Sequence, residues 1–218
     1  MDLADWVKQV YQLDGSVRSA LEMNLQLGAK SISALNCVSP RFDEETLTGA
    51  MIGAFVGSYP LCAASYPGTS DDALQWRSYG KSDRGKFGES SAGADFALML
   101  LIPNREPRLA IFQAKSDAST WKKNNRLYVG QIKSSKHYEK DTQGNPTGNA
   151  TVKYRNQIKA LTDAALKIHR LVKPLAALND LHWVHYLGQF EGGVVAVPLS
   201  KIAATVQSSI SKLSLIHI

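Results

Sequence analysis

Residues 93–115 read GADFALMLLIPNREPRLAIFQAK. Two apolar runs, 96–102 and 109–112, flank Pro103, Asn104 and Pro107, which favour a turn. Short apolar runs on either side of a turn predict an antiparallel hairpin. Asp95 opens the first strand, and Gln113 and Lys115 close the second. Side chains alternate along a strand, so Gln113 and Lys115 share a face, and the hairpin brings Asp95 beside them. An acid, an amide oxygen and an ammonium group at one sheet end can hold a divalent metal and a water. Metal plus positioned water is how many enzymes cut phosphodiesters.

Upstream of the hairpin, Trp6, Val10 and Leu13 recur at helical spacing. Asp14-Gly15-Ser16 ends that helix and caps a second one carrying Val17, Leu21 and Leu25. Residues 32–40 read as an irregular connector. A third helix starts near Phe42, with Asp43 as N-cap and Leu47, Met51 and Phe55 on one stripe. At 100° per residue Glu44 falls on that stripe and Glu45 roughly a quarter turn away. A carboxylate in line with a core stripe is costly unless paired or bound to a metal. The plainer reading is an acid favoured by the helix dipole in the first turn. Gly57-Ser58-Tyr59-Pro60 and Pro67–Asp72 carry loop signals, and residues 74–79 alternate as the first strand of a meander. Residues 80–93 form a polar turn. Its Glu89 reads as a loop acid or as a further metal contact.

Downstream, Gln143–Asn149 is a loop. Tyr154, Ile158, Leu161, Ala165, Ile168 and Val172 predict an amphipathic helix that packs on the sheet. Gln157 borders its apolar stripe, facing the candidate site, while Lys153, Arg155, Lys159 and Lys167 lie off it. Pro174 stops this helix. Residues 183–187 and 194–197 read as strands, and 200–213 as a last helix. His169 and His185 read as core or surface histidines. The end, LSLIHI (213–218), is apolar and reads as a buried end or as a chain that continues.

The 218 residues suit one domain, with an N-terminal helical extension at 1–40 and a core at 41–200. No run has the length of a membrane span, the first residues lack a secretory pattern, and the expected location is cytoplasmic. Cys37 and Cys62 lack metal-ligand spacing and read as buried thiols. Charge is uneven. Residues 121–173 hold twelve Lys or Arg against three acids, a net of +9, so the rest carries −3 of the overall +6. Such a segment reads as a phosphate-binding surface or as a solvated face. The candidate nucleic-acid contacts are Lys122, Lys123, Arg126, Lys133, Lys136, Lys153, Arg155 and Lys159.

Gly93-Ala94-Asp95-Phe96 and Phe112-Gln113-Ala114-Lys115 resemble the signature of the PD-(D/E)xK nuclease superfamily. Gln113 stands where most members carry an acid. The Gln-x-Lys form is similar to that of Mrr-like restriction enzymes and antiviral-defence nucleases. The resemblance spans roughly residues 40–200. It implies an α/β fold with a restriction-endonuclease-like core (α-β-β-β-α-β), a mixed central sheet flanked by helices, and two extra N-terminal helices. It implies a metal-dependent endonuclease hydrolysing DNA, most naturally double-stranded, in restriction or anti-phage defence. The catalytic set it implies is Glu44, Asp95, Gln113 and Lys115, with Glu45, Glu89 and Gln157 as further candidates. Mg²⁺ or Mn²⁺ is expected on Glu44, Asp95 and the Ala114 carbonyl, hard cations preferring oxygen. Lys115 is expected to hold the attacking water. Cutting both strands suits a homodimer. With no P-loop in the chain, any ATPase or sensor partner is a separate protein. Two other readings stay open. One is an inactive nuclease fold that only binds nucleic acid. The other is an interaction protein in which Asp95 and Lys115 form a plain salt bridge.

Overall fold

The computed structural model describes residues 1–38, 42–68, 73–78, 93–101, 106–116, 132–190 and 193–214. In chain order the helices are α1 (Leu3–Val10), α2 (Ala20–Val38), α3 (Glu44–Ser65), α4 (Gln157–His169) and α5 (Ala203–Ser214). The strands are β1 (Ala73–Ser78), β2 (Phe96–Leu101), β3 (Arg108–Ser116), β4 (Ile132–Lys140), β5 (Pro146–Asn156), β6 (Val184–Phe190) and β7 (Gly193–Pro198). They make two compact units. One holds Met1–Ser78, Asp95–Leu127 and Trp183–Val197. The other holds Tyr79–Ala94, Tyr128–His182 and Pro198–Ile218.

The first unit is built on a five-stranded mixed sheet of order β1-β2-β3-β6-β7. β1, β2 and β3 form an antiparallel meander, and β6 runs parallel to β3. The expected hairpin is therefore present, with Phe96 opposite Phe112 and Leu98 opposite Ala110. The Phe96 and Phe112 rings stack at 4.8 Å between centroids. His185, the neighbour of Phe112 on β6, stacks on its other side at 5.1 Å. Ile32, Leu47, Met51, Ile52, Phe55, Phe96, Ala114 and Leu187 form the core where α2 and α3 meet the sheet. A second apolar cluster joins Val7, Val17, Met23, Leu27 and Cys62.

α3 begins where the sequence places it. The Asp43 side chain accepts from Thr46 N at 2.8 Å, which satisfies a first-turn N–H. It does not stop at Gly57-Ser58-Tyr59-Pro60, as the loop signals suggest, but runs to Ser65. Pro60 removes one helical hydrogen bond. Nearby polar groups hold the helix together there. Ser58 Oγ donates to Ala54 O at 2.7 Å, and the buried Asn24 Nδ2 donates to Phe55 O at 2.8 Å. α2 likewise continues through the expected connector to Val38, because Ile32 is fully buried in the core. Gly28 is the point of closest approach: a Cβ there would lie 1.8 Å from the Phe55 ring. α3 is also, by length and composition, long and apolar enough to cross a membrane, which corrects the expectation that no run is. Its Leu47, Met51, Ile52 and Phe55 are buried in the core just described. Cys62 is buried and burial pushes its thiol pKa up, whereas Cys37 is exposed, contrary to expectation.

The second unit departs most from the sequence reading. Residues 132–156 form a two-stranded antiparallel ribbon, β4–β5, where a basic stretch and the start of a helix were expected. Its turn is tied by Asp141, whose Oδ1 accepts from Gln143 N at 2.9 Å and Asn145 N at 2.8 Å. Gly144, at φ +87°, supplies the left-handed residue of the turn. Tyr154 therefore lies on a strand, and α4 starts three residues later than its periodicity suggests. The reason is Asn156. Its side chain accepts from Ile158 N at 3.0 Å and Lys159 N at 3.2 Å, capping the helix and ending β5. Ile158, Leu161 and Ala165 are buried as expected, but Ile168 and Val172 are exposed, and the helix ends at His169 rather than at Pro174.

Candidate functional site

The site is built at the ends of β2, β3 and α3, all in the first unit. Asp95 immediately precedes β2, and its N–H donates to Phe112 O at 2.9 Å, so the hairpin itself fixes its position. Asp95 Oδ2 accepts from Ala114 N at 2.6 Å and from Gln113 Nε2. The same Nε2 lies 3.2 Å from Ala114 O. Gln113 is fully buried, and its Oε1 has no hydrogen-bond partner among the described residues. Two residues on, Lys115 is 8% exposed, and its Nζ donates to both oxygens of Glu44, at 3.1 and 3.0 Å. The four residues singled out from the sequence thus meet at one end of the sheet. Glu44 gets there because it is the first residue of α3. Glu45, next in the chain, is exposed.

The electrostatics of the cluster register on Tyr186, which pairs with Gln113 across β3 and β6. Its hydroxyl pKa is raised, first by burial and then by the charges of Glu44 and Asp95. Both carboxylates therefore act on one buried phenol, which stays neutral and able to donate. The formal charges of Glu44, Asp95 and Lys115 sum to −1 in a largely buried setting, where an added cation is electrostatically favoured.

The donor set suits a hard divalent cation. Asp95 Oδ2 and Ala114 O already converge on one point, occupied by the Gln113 amide nitrogen. The orphaned Gln113 Oε1 is a third oxygen within the same side chain. Among the described residues no group of three or more His, Cys, Asp or Glu side chains gathers to hold a metal. A set that combines two acids with a carbonyl and an amide would not form such a group. Mg²⁺ and Mn²⁺ take oxygen ligands, neutral carbonyl and amide oxygens among them, although carboxylates bind them more tightly.

The other candidates fall elsewhere. Gln157 is the first residue of α4 in the second unit, buried, with Oε1 lacking a partner. Lys159 pairs with Asp163 at 2.6 Å on an exposed helix face. Lys133, Lys136, Lys153 and Arg155 are strand residues of the β4–β5 ribbon, not of a helix, and Lys133 pairs with Arg155 in its register. Glu89, Lys122, Lys123, Arg126 and the turn at Pro103-Asn104 lie outside the described residues.

The sequence reading missed Tyr186, which pairs with Gln113, and a buried polar contact on the other face of β6, between Gln189 and Thr48 of α3. Gln189 is fully buried on β6, one position beyond the pairing of Lys115 with Gly188. Its Nε2 donates to Thr48 Oγ1 at 2.9 Å, and its Oε1 has no partner. Thr48 lies one helical turn after Glu44. The alternation His185, Leu187, Gln189 against Val184, Tyr186, Gly188 is visible in the sequence, but the apolar signal of this strand fades at Leu187. Comparisons with known protein families, with curated proteins and with solved structures find no match to this chain.

Proposed function

We propose that this protein is a metal-dependent endonuclease with a restriction-endonuclease-like core that hydrolyses phosphodiester bonds of DNA, serving restriction or anti-phage defence. One observation carries the proposal. Glu44, Asp95, Gln113 and Lys115, chosen for their types and spacing, come together from three elements, with the lysine buried and an amide oxygen left over. Burying a lysine is costly, and its bidentate contact with Glu44 offsets that cost.

Asp95, the Ala114 carbonyl and Gln113 Oε1 would hold Mg²⁺ or Mn²⁺, with Glu44 beside them. When bound, the ion would polarise the phosphate as a Lewis acid and lower the pKa of a water. Lys115 donates to a non-bridging phosphate oxygen and orients the water for in-line attack. Its ammonium then offsets the charge that builds up in the transition state. Glu44 fixes the lysine head through two hydrogen bonds. Tyr186 offers a neutral hydroxyl to the carboxylates. Lys133, Lys136, Lys153 and Arg155 of the β4–β5 ribbon are candidate phosphate contacts by charge, since lysines and arginines neutralise phosphates.

The test is a labelled DNA duplex, with single-stranded DNA and RNA of the same sequence, incubated with the protein in Mg²⁺. The duplex should be cut, and cutting should stop in EDTA. Faster cleavage of RNA, or cleavage indifferent to EDTA, would overturn the reading. A second reading, a binding module that does not cut, is favoured by the neutral Gln113 and predicts a retarded but intact duplex.

A further inference from the structure

We infer that the Gln113 carboxamide gates the cation site: its NH2 group ties up the oxygens that would hold the ion, and the amide turns over when the ion arrives. The inference rests on the metal-dependent reading above and adds how that site is closed without metal. The Nε2 group faces two acceptors, Asp95 Oδ2 and Ala114 O, the latter at 3.2 Å. The other end of the same amide, Oε1, is buried and accepts no hydrogen bond from the described residues. The last torsion of a glutamine side chain is broad and roughly two-fold, so the two ends exchange by one rotation. After that rotation Oε1 would face Asp95 Oδ2 and Ala114 O, and the N–H that had served both would be gone, leaving Oδ2 only the Ala114 N–H. Such an arrangement is repulsive unless a cation sits between them. The two orientations are thus tied to the two states, nitrogen inward without the ion and oxygen inward with it.

This also explains what a glutamine does here that a glutamate cannot. A carboxylate has oxygen at both ends, cannot donate to Asp95, and would leave two negative groups facing each other in the free protein. The amide lets the chain fold with the site satisfied by its own hydrogen bonds. The site then takes up the ion with one negative charge fewer than a glutamate would provide. The wild-type site therefore takes up the ion on its own, but more weakly than a glutamate site would.

The experiment is a ¹⁵N spectrum of the full chain with and without Mg²⁺ alone, no nucleic acid present. The Gln113 side-chain NH2 pair is identified by its loss in Gln113→Glu. Without metal this pair should be protected from exchange by Asp95. Mg²⁺ should abolish the protection and shift the Ala114 backbone amide, which shares Asp95 Oδ2. The Gln113→Glu variant should bind Mg²⁺ at least about tenfold tighter, because ligand charge sets affinity. A shifted Ala114 amide with the Gln113 pair still protected would overturn the gate and leave the metal site standing. So would a wild-type spectrum that Mg²⁺ leaves unmoved while Gln113→Glu binds. No response in either protein would remove the metal-dependent reading together with the gate.

Discussion

Burial holds the pKa of His185 below its ordinary 6.5, while its ring stacks on Phe112 and its Nδ1 lacks a partner. The folded state therefore keeps the imidazole neutral where the unfolded chain has already taken up a proton. The unfolded state binds more protons, so stability is intact above 6.5 and is lost as pH falls from there through the folded value. The raised Tyr186 hydroxyl acts at the other end, where stability is complete below 10.0 and falls as pH rises above it. Urea unfolding at about pH 7.5 and about pH 5 tests the acid side. The wild type should lose more stability than His185→Phe, which keeps the stack and removes the titration; parallel losses would contradict this. Residue types at this scale were readable. Asp43 as cap, Glu44 ahead of Glu45, and the Asp95–Gln113–Lys115 grouping all follow from spacing, because cap, helix phase and strand alternation are local. Tyr186 and Gln189 were not readable, because their roles come from a parallel neighbour some 70 residues away in the chain.

At the scale of elements, the contact between α2 and α3 depends on a missing side chain. Gly28→Ala would place a methyl group inside the Phe55 ring volume, and buried overpacking costs about 1–3 kcal/mol. Thermal unfolding of Gly28→Ala should show that loss, whereas an unchanged midpoint would mean the helices do not meet there. Asn156→Ala removes the cap of α4 and should cost about 1 kcal/mol in the same assay. Full stability in that variant would mean that β5 does not end as described. Helix ends were misread where tertiary packing overrides local signals. Pro60 and its neighbours look like a loop, yet the helix continues, with Asn24 and Ser58 bound to the carbonyls of Phe55 and Ala54 in the turn before it. The β4–β5 ribbon was missed for a different reason. Its first strand, IKSSKHYEK, has too few apolar positions for alternation to stand out. The step from Tyr154 to Ile158 also happens to match a helical period.

At the scale of the molecule, the chain is an α/β protein whose mixed sheet carries the candidate site on one unit and whose basic ribbon belongs to the other. The meander, the strand that follows α4 and the flanking helices were legible as an order of elements; the parallel direction of that strand was not. The division into two units was not, because it is set by long-range contacts rather than by composition. The central claim is that the cluster at the end of β3 cuts DNA with a divalent ion. The most direct measurement is supercoiled plasmid incubated with wild type, Lys115→Ala and Asp95→Ala in Mg²⁺, Mn²⁺ or EDTA. Circular dichroism confirms that each variant is folded. The account predicts nicking or linearisation by the wild type only with metal, and a loss of about 10²-fold or more in both folded variants. Intact plasmid with the wild type in both metals, or undiminished cutting by a folded Lys115→Ala, would contradict it.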